Sequence, residues 1–196
     1  MVPMPFVGPA LAWPLKVAVT KNMYEFDLHP AVSEAIDTAA AALSKAGYDV
    51  HEVEPPLLRE AAHLGAGCLF GETKALLGGD IRAHGSETVN RIFDEYFRQF
   101  APLEGEALLL GMADRARLVR AWTVFLDEWP LVLTPFLPNP IFSWDRDTQG
   151  EDGVREVLGS AIYSYSMNLL GLPAANVPAN YNDGQPVGVQ IVGRRF

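Results

Sequence analysis

The sequence predicts an α/β fold, a mixed sheet flanked by helices on both faces, and three observations predict it. A strand, a helix and a second strand follow one another between Leu15 and Val53. Helical periodicity then fills the middle of the chain. Two segments of alternating apolar residues around a turn close it.

Taken in order, Met1 to Pro14 is proline-rich and reads as an extended arm or linker remnant over 1–14, leaving 15–196 as a single α/β domain. Leu15-Lys16-Val17-Ala18-Val19 has the composition of a buried strand. Asp27 or His29 stands where an N-cap belongs and Pro30 occupies a first-turn position. The helix they open runs through Val32, Ile36, Ala39, Ala40 and Leu43 to Gly47 as its terminator. Tyr48 to Val53 alternates and stops at Pro55-Pro56, so the unit is a βαβ crossover with parallel strands, right-handed by the usual rule. A helix over 58–77 follows. Its Gly65, Gly67 and Gly71 weaken it but admit a close neighbour. Ser86 is a cap for the next helix, where Val89, Ile92, Phe93, Tyr96, Phe97 and Phe100 form one apolar stripe, a packing face rather than a ligand site.

Leu108 to Trp129 makes one long helix or two, and its Arg115, Arg117 and Arg120 fit a solvated face paired with local acids. Leu131-Val132-Leu133-Thr134 is a short strand that the prolines of 135–140 cannot prolong. Open α/β sheets bind ligands beyond the carboxyl ends of their strands, which makes Pro135, Phe136, Phe142 and Trp144 candidates for a substrate wall. Val154, Val157, Leu158, Ala161, Ile162 and Tyr165 mark another amphipathic helix, delivering Asn168, a further substrate-binding candidate, to the final strand pair. In that pair, a short strand is followed by Asn182-Asp183-Gly184, residues that tolerate positive φ. Val187, Val189 and Ile191 then alternate with Gly188, Gln190 and Val192.

Composition narrows the partners. Of 196 residues, 49% are hydrophobic and 20% charged, with a net charge of −9; the pI is about 4.8. Nucleic acid and anionic membrane surfaces would be repelled, so neither is expected as a direct partner. No stretch approaches the roughly 18 apolar residues of a membrane span. The start has no basic, then apolar, leader pattern. The single Cys68 suits a reducing compartment and reads as a buried apolar residue, so a cytoplasmic location is expected. His29, His51, His63 and His84 are scattered without ligand spacing, and no metal or organic cofactor is expected.

The segment Asn168-Leu169-Leu170-Gly171-Leu172-Pro173-Ala174, then Val177-Pro178, then Asp183-Gly184-Gln185-Pro186-Val187-Gly188-Val189-Gln190-Ile191-Val192-Gly193, resembles the C-terminal region of the amidase signature family. That resemblance implies a large mixed sheet between helical layers, here an incomplete version of it. It also implies cofactor-free hydrolysis or transfer of amide groups. The family's serine nucleophile is activated through a second serine, held in a cis peptide, and a neutral lysine, with backbone amides of a Gly/Ser-rich segment stabilising the oxyanion. Its small-molecule partner would be an amide.

Here the sequence departs from the family. No two serines are adjacent, no Gly-Gly-Ser-Ser segment exists, and the only glycine pair, Gly78-Gly79, precedes Asp80. Lys16, Lys21, Lys45 and Lys74 stand in no S-x-x-K motif, and there is no G-x-S-x-G elbow. No catalytic residue of the family can be assigned, so the chain reads as the C-terminal portion alone, inactive by itself. Glutamine-using members also carry an aspartate seven residues before the Asn of this segment, pairing the substrate's α-amino group. The position is Ala161 here, which implies general amidase ancestry. Family members further continue past the Gly-Arg-Arg-Phe ending, so open edges or apolar surface are expected, with self-association or a complementing N-terminal half as the consequence. Two other readings stand beside a non-catalytic amidase portion. One is an assembly module completing a separately encoded half; the other is a hydrolase using an unrelated nucleophile such as Ser164 or Ser166.

Overall fold

The structure, a computed structural model, describes residues 12–195. Of the arm expected over 1–14, residues 1–11 lie outside the described residues. The elements are β1 (Lys16–Val19), α1 (Pro30–Lys45), β2 (Asp49–Glu52), α2 (Leu58–His84), α3 (Glu87–Gln99), α4 (Gly105–Glu128), β3 (Leu131–Pro135), α5 (Gly150–Val154), α6 (Ile162–Leu170), β4 (Ala174–Asn182) and β5 (Gln185–Gly193).

Five strands form one sheet in the order β2-β1-β3-β5-β4. β1 lies parallel to β2 and to β3, and β5 runs antiparallel to β3 and β4, so the sheet is mixed, as expected. Strand alternation sorts its side chains into two layers. Val17, Val19, Leu133, Val187 and Val189 pack with Val32, Ala35 and Ile36 of α1 on one face. Ala18, Val132 and Val192 meet Leu58, Leu118, Trp122, Leu126 and Tyr163 on the other. Each fully buried aliphatic side chain in these layers contributes about 1.5–3 kcal/mol.

The caps fall where the side-chain chemistry puts them. The His29 ring nitrogen accepts from Ala31 N at 3.1 Å, and Ser86 Oγ accepts from Val89 N at 3.2 Å. The glycines of α2 serve the close approach they suggested. A Cβ on Gly65 would lie 2.5 Å from the Tyr165 carbonyl oxygen of α6, and one on Gly71 would lie 2.2 Å from that of Leu103. Between β4 and β5, Asp183 at φ 49° and Gly184 at φ 77° make a two-residue reversal with both residues left-handed.

Four expectations need correction. α2 reaches His84 rather than Leu77, because the solvated outer turns keep forming helix once the inner ones are packed. The single helix drawn through 154–165 is broken: α5 passes into a π turn over Arg155–Gly159 and α6 restarts at Ile162. Just before the break the chain packs closely on the turn at 146–149, where a Cβ on Gly153 would sit 2.0 Å from the Arg146 carbonyl oxygen. β4 is nine residues long rather than short. It carries Pro178 without penalty because it is an edge strand, and its register shifts between Pro178 and Asn180. Cys68 is half-buried, not buried.

Candidate functional site

β1 and β3 are parallel neighbours, so the segments leaving their carboxyl ends gather at one end of the sheet. They are tied together there. His29 N donates to the Pro138 carbonyl at 2.9 Å. Glu156, on the π turn, accepts from Arg146 Nε at 2.6 Å and from Asn139 Nδ2 at 3.4 Å. The proline-rich loop after β3 and the π turn before α6 are therefore one connected rim.

Under this rim opens a cleft of about 670 Å³ between the first half of α2, the end of α3 and the start of α6. Phe26, Ala62, Ala66, Phe100, Ile162 and Tyr165 supply apolar wall, and Gly67 and Gly159 give it room. The α3 stripe builds one side: Phe100 stacks on Phe70 with ring centres 5.1 Å apart and lies 6.4 Å from the Tyr165 ring. Charged groups at the mouth are mostly neutralised in pairs. Arg98 meets Glu151 at 2.8 Å, and Arg59 meets Glu25 at 3.5 Å. Arg155 instead lays its guanidinium over the Phe26 ring, 5.1 Å from its centre.

Tyr165 is the chemically distinctive residue of the cleft. Its side chain is 8% exposed, and its hydroxyl oxygen is buried without a hydrogen-bond partner. Burial pushes its phenol well above the ordinary range, and the neighbouring Tyr96 adds to the shift. Tyr96 itself is pushed up to about 12 by burial, then by Asp147. Both phenols are neutral, proton-bearing groups at any physiological pH.

A second hollow, about 160 Å³, lies at the other side of the same rim, between the loop after β3 and the β4–β5 pair. The sequence-predicted wall residues divide among these surroundings. Pro135 is buried at the end of β3, and Phe136 lines the small hollow with Leu137, Asn139 and Asn176. Phe142 is half-buried, while Trp144 stands 90% exposed. Asn168 is exposed on the last turn of α6, where its carbonyl accepts from Gly171 N at 3.1 Å. Phe142, Trp144 and Asn168 line neither space. Phe26, Arg155 and Tyr165 escaped sequence reasoning because they share no motif: Tyr165 sits on an ordinary apolar stripe, and Phe26 comes from a loop far away in sequence.

The arginines of α4 follow the paired-face expectation at one position and depart at another. Arg117 meets Asp114 at 2.7 Å and Glu60 at 2.6 Å, whereas Arg115 donates to the Leu169 carbonyl and so ties α4 to α6. Serine chemistry is equally legible. Ser166 is fully buried and donates to the Ile162 carbonyl at 2.7 Å, a helix-satisfied hydroxyl. Ser160 does the same with Glu156 O at 2.6 Å. Ser33 accepts from Lys21 Nζ at 2.9 Å, and the same Nζ meets Asp37 at 2.6 Å. Among the described residues, no three His, Cys, Asp or Glu side chains group as metal ligands. None of the described helices is long and apolar enough to cross a membrane.

Comparison with known proteins gives this geometry a family. An indoleacetamide hydrolase of Bradyrhizobium diazoefficiens is 32% identical over 196 residues, all of this chain but 37% of the relative. A glutamyl-tRNA(Gln) amidotransferase subunit of Clostridium botulinum is 28% identical over 92% of this chain and 41% of its own length. Among solved structures, a bacterial aryl acylamidase of the amidase signature enzymes superposes with a TM-score of 0.70 at 20% identity, covering 92% of this chain and 40% of that one. The corresponding amidotransferase subunit of Thermotoga maritima gives 0.67 at 26% identity, covering 93% and 39%. The chain thus spans about two fifths of the length of the relatives it matches. The amidase family model matches residues 10–196, and the chain belongs to the amidase family.

Proposed function

We propose that this chain is the C-terminal, substrate-side portion of an amidase that hydrolyses carboxylic amide C–N bonds, and that it is inactive until a segment bearing the serine pair and lysine joins it. The observation that carries this reading is the open outer edge of β4. Nine residues long, it pairs on one side only among the described residues, and Ala174 to Pro178 are all exposed. A sheet edge of that length is a template for further strands. The partner is the N-terminal part of the amidase, on the same polypeptide or encoded separately. The relatives' greater length supports it, as does the absence of an adjacent serine pair from the sequence.

The substrate is a small-molecule amide, and its chain-side contacts come from the rim at the carboxyl end of the sheet, where Phe136 lines the small hollow and Phe142 and Trp144 follow on the same loop. Ala161 supports an amide without an α-amino group. It precedes Ile162 of the large cleft, and the carboxylates that do line that cleft, Glu25 and Glu151, are paired with Arg59 and Arg98. The indoleacetamide hydrolase among the relatives points to an aryl-substituted amide.

The test is intact-mass analysis after exposure to a fluorophosphonate serine probe, with turnover of an aryl and aliphatic amide panel, for these 196 residues alone and with the N-terminal part added. No adduct and no turnover alone, with both appearing on addition, is expected. An adduct and turnover by this chain alone would overturn the reading.

A further inference from the structure

We propose that the cleft between α2, α3 and α6 binds a free carboxylic acid with an apolar body, its carboxylate held by Arg155. The space, about 670 Å³, falls within the roughly 300–1,000 Å³ of small-molecule sites, and its concave form suits a free acid better than a peptide. Phe26, Ala62, Ala66, Phe100 and Ile162 line it with carbon side chains alone, which calls for an apolar body. The site does not depend on the amidase reading. Where that reading also holds, the ligand belongs to the class of acid that amide hydrolysis releases.

The charges at the mouth decide the head group. Glu25, Arg98, Glu151 and Arg155 line the cleft, and His63 beside them brings no negative charge. Glu25 meets Arg59 at 3.5 Å and Glu151 meets Arg98 at 2.8 Å, so both carboxylates are already engaged. Arg155 makes no ion pair or hydrogen bond among the described residues; its guanidinium lies over the Phe26 ring, 5.1 Å from the ring centre. Stacking occupies the flat face of the guanidinium and leaves its N–H donors, which lie in its plane, to fork a carboxylate. The backbone sets this side chain at the cleft wall. Arg155 opens the π turn over Arg155–Gly159, a rare irregularity that recurs at functional sites. Its stem runs past Gly159, where a Cβ would lie 3.4 Å from Arg155 Cγ. The net charge of −9 opposes any anion at long range. Beyond about 8 Å that field is screened at physiological ionic strength, so the contact at Arg155 decides.

Calorimetric titration of the full chain with octanoate, octanamide and octylamine, one tail under three heads, tests the site. Octanoate should bind tightest, with a single molecule per chain, and octylamine weakest. Arg155→Ala should weaken octanoate about fivefold, the size of an exposed forked pair, and leave octanamide unchanged. Arg155→Lys keeps the charge but loses the fork, and should recover only part of that loss. Gly159→Leu fills the cleft, since a Cβ there already lies 3.3 Å from Phe26 Cζ, and should weaken octanoate and octanamide alike, by about tenfold. Should Gly159→Leu lose its fold by circular dichroism, hydrogen exchange of the unaltered chain takes its place. Octanoate should then slow exchange over 98–103 and 155–165, which border the cleft, and leave 174–182 of β4 unchanged. Equal affinity for octanoate and octanamide, equal losses for both in Arg155→Ala, intact binding in the filled cleft, or protection at β4 alone would each overturn the proposal. Octanoate binding without any amide hydrolysis leaves this site standing, and hydrolysis without octanoate binding removes it alone.

Discussion

The two edges of the sheet are built differently. β2 is four residues long and puts Asp49, His51 and Glu52 at its edge, with His51 meeting Asp49 at 2.6 Å and lying against the Trp129 ring at 5.4 Å. β4 is nine residues long and contains no Asp, Glu, Lys or Arg. Short, charged, side-covered strands deter further pairing, and long uncharged ones invite it. The two edges therefore differ in how strongly they deter a further strand, and the proposed N-terminal part would add at β4 rather than β2.

The largest effect should come from the strand that links the two sides. Leu133→Ala removes a fully buried side chain of β3 and should cost about 2–5 kcal/mol in urea unfolding. Both edges should lose amide protection together; if β4 and β5 stay protected while β1 and β2 melt, the sides are independent units. Next in size, Val177→Lys places a charge on the open edge, where Val177 is 42% exposed. It should lower affinity for the N-terminal part at least tenfold, by roughly the effect of a charge in a strand interface. His51→Lys on the closed edge should leave that affinity unchanged, and equal losses at both edges would erase the contrast.

A smaller effect is expected at the hairpin. Gly184→Val puts a β-branched residue at φ 77° and should cost about 1–2 kcal/mol, with faster amide exchange in β4 than in β2. The smallest effect should be that of acid. Arg82 holds the Asp94 carboxyl below the usual range, Arg98 and then Gln99 do so for Glu95, and Arg117 does so for Asp114. Folded values below the unfolded ones mean stabilisation that is full above the unfolded value, near 4, and lost as pH falls through the folded one. These pairs are exposed, so titration from about pH 5 to about pH 2.5 should loosen α3 and α4 slightly, while β4, which has no carboxylate, keeps its affinity in the upper part of that window.

The sequence by itself determined the elements and their layering, because the relevant signals are local. His29-Pro30 and Ser86 are caps, Asp183-Gly184 is a reversal, and the alternation in 187–192 sets the two faces. The same locality kept the family segment legible, since it runs nearly unbroken from Asn168 to Gly193. Tertiary structure alone decided the rest. The break at Arg155–Gly159 lies beside the close approach of Gly153 to Arg146, and the length of β4 fits its place at an edge that tolerates Pro178. The cleft exists because Phe26, Ala66, Phe100 and Tyr165, from four separate segments, meet there. Each reads alone as packing, and only the tertiary structure brings them around one cleft.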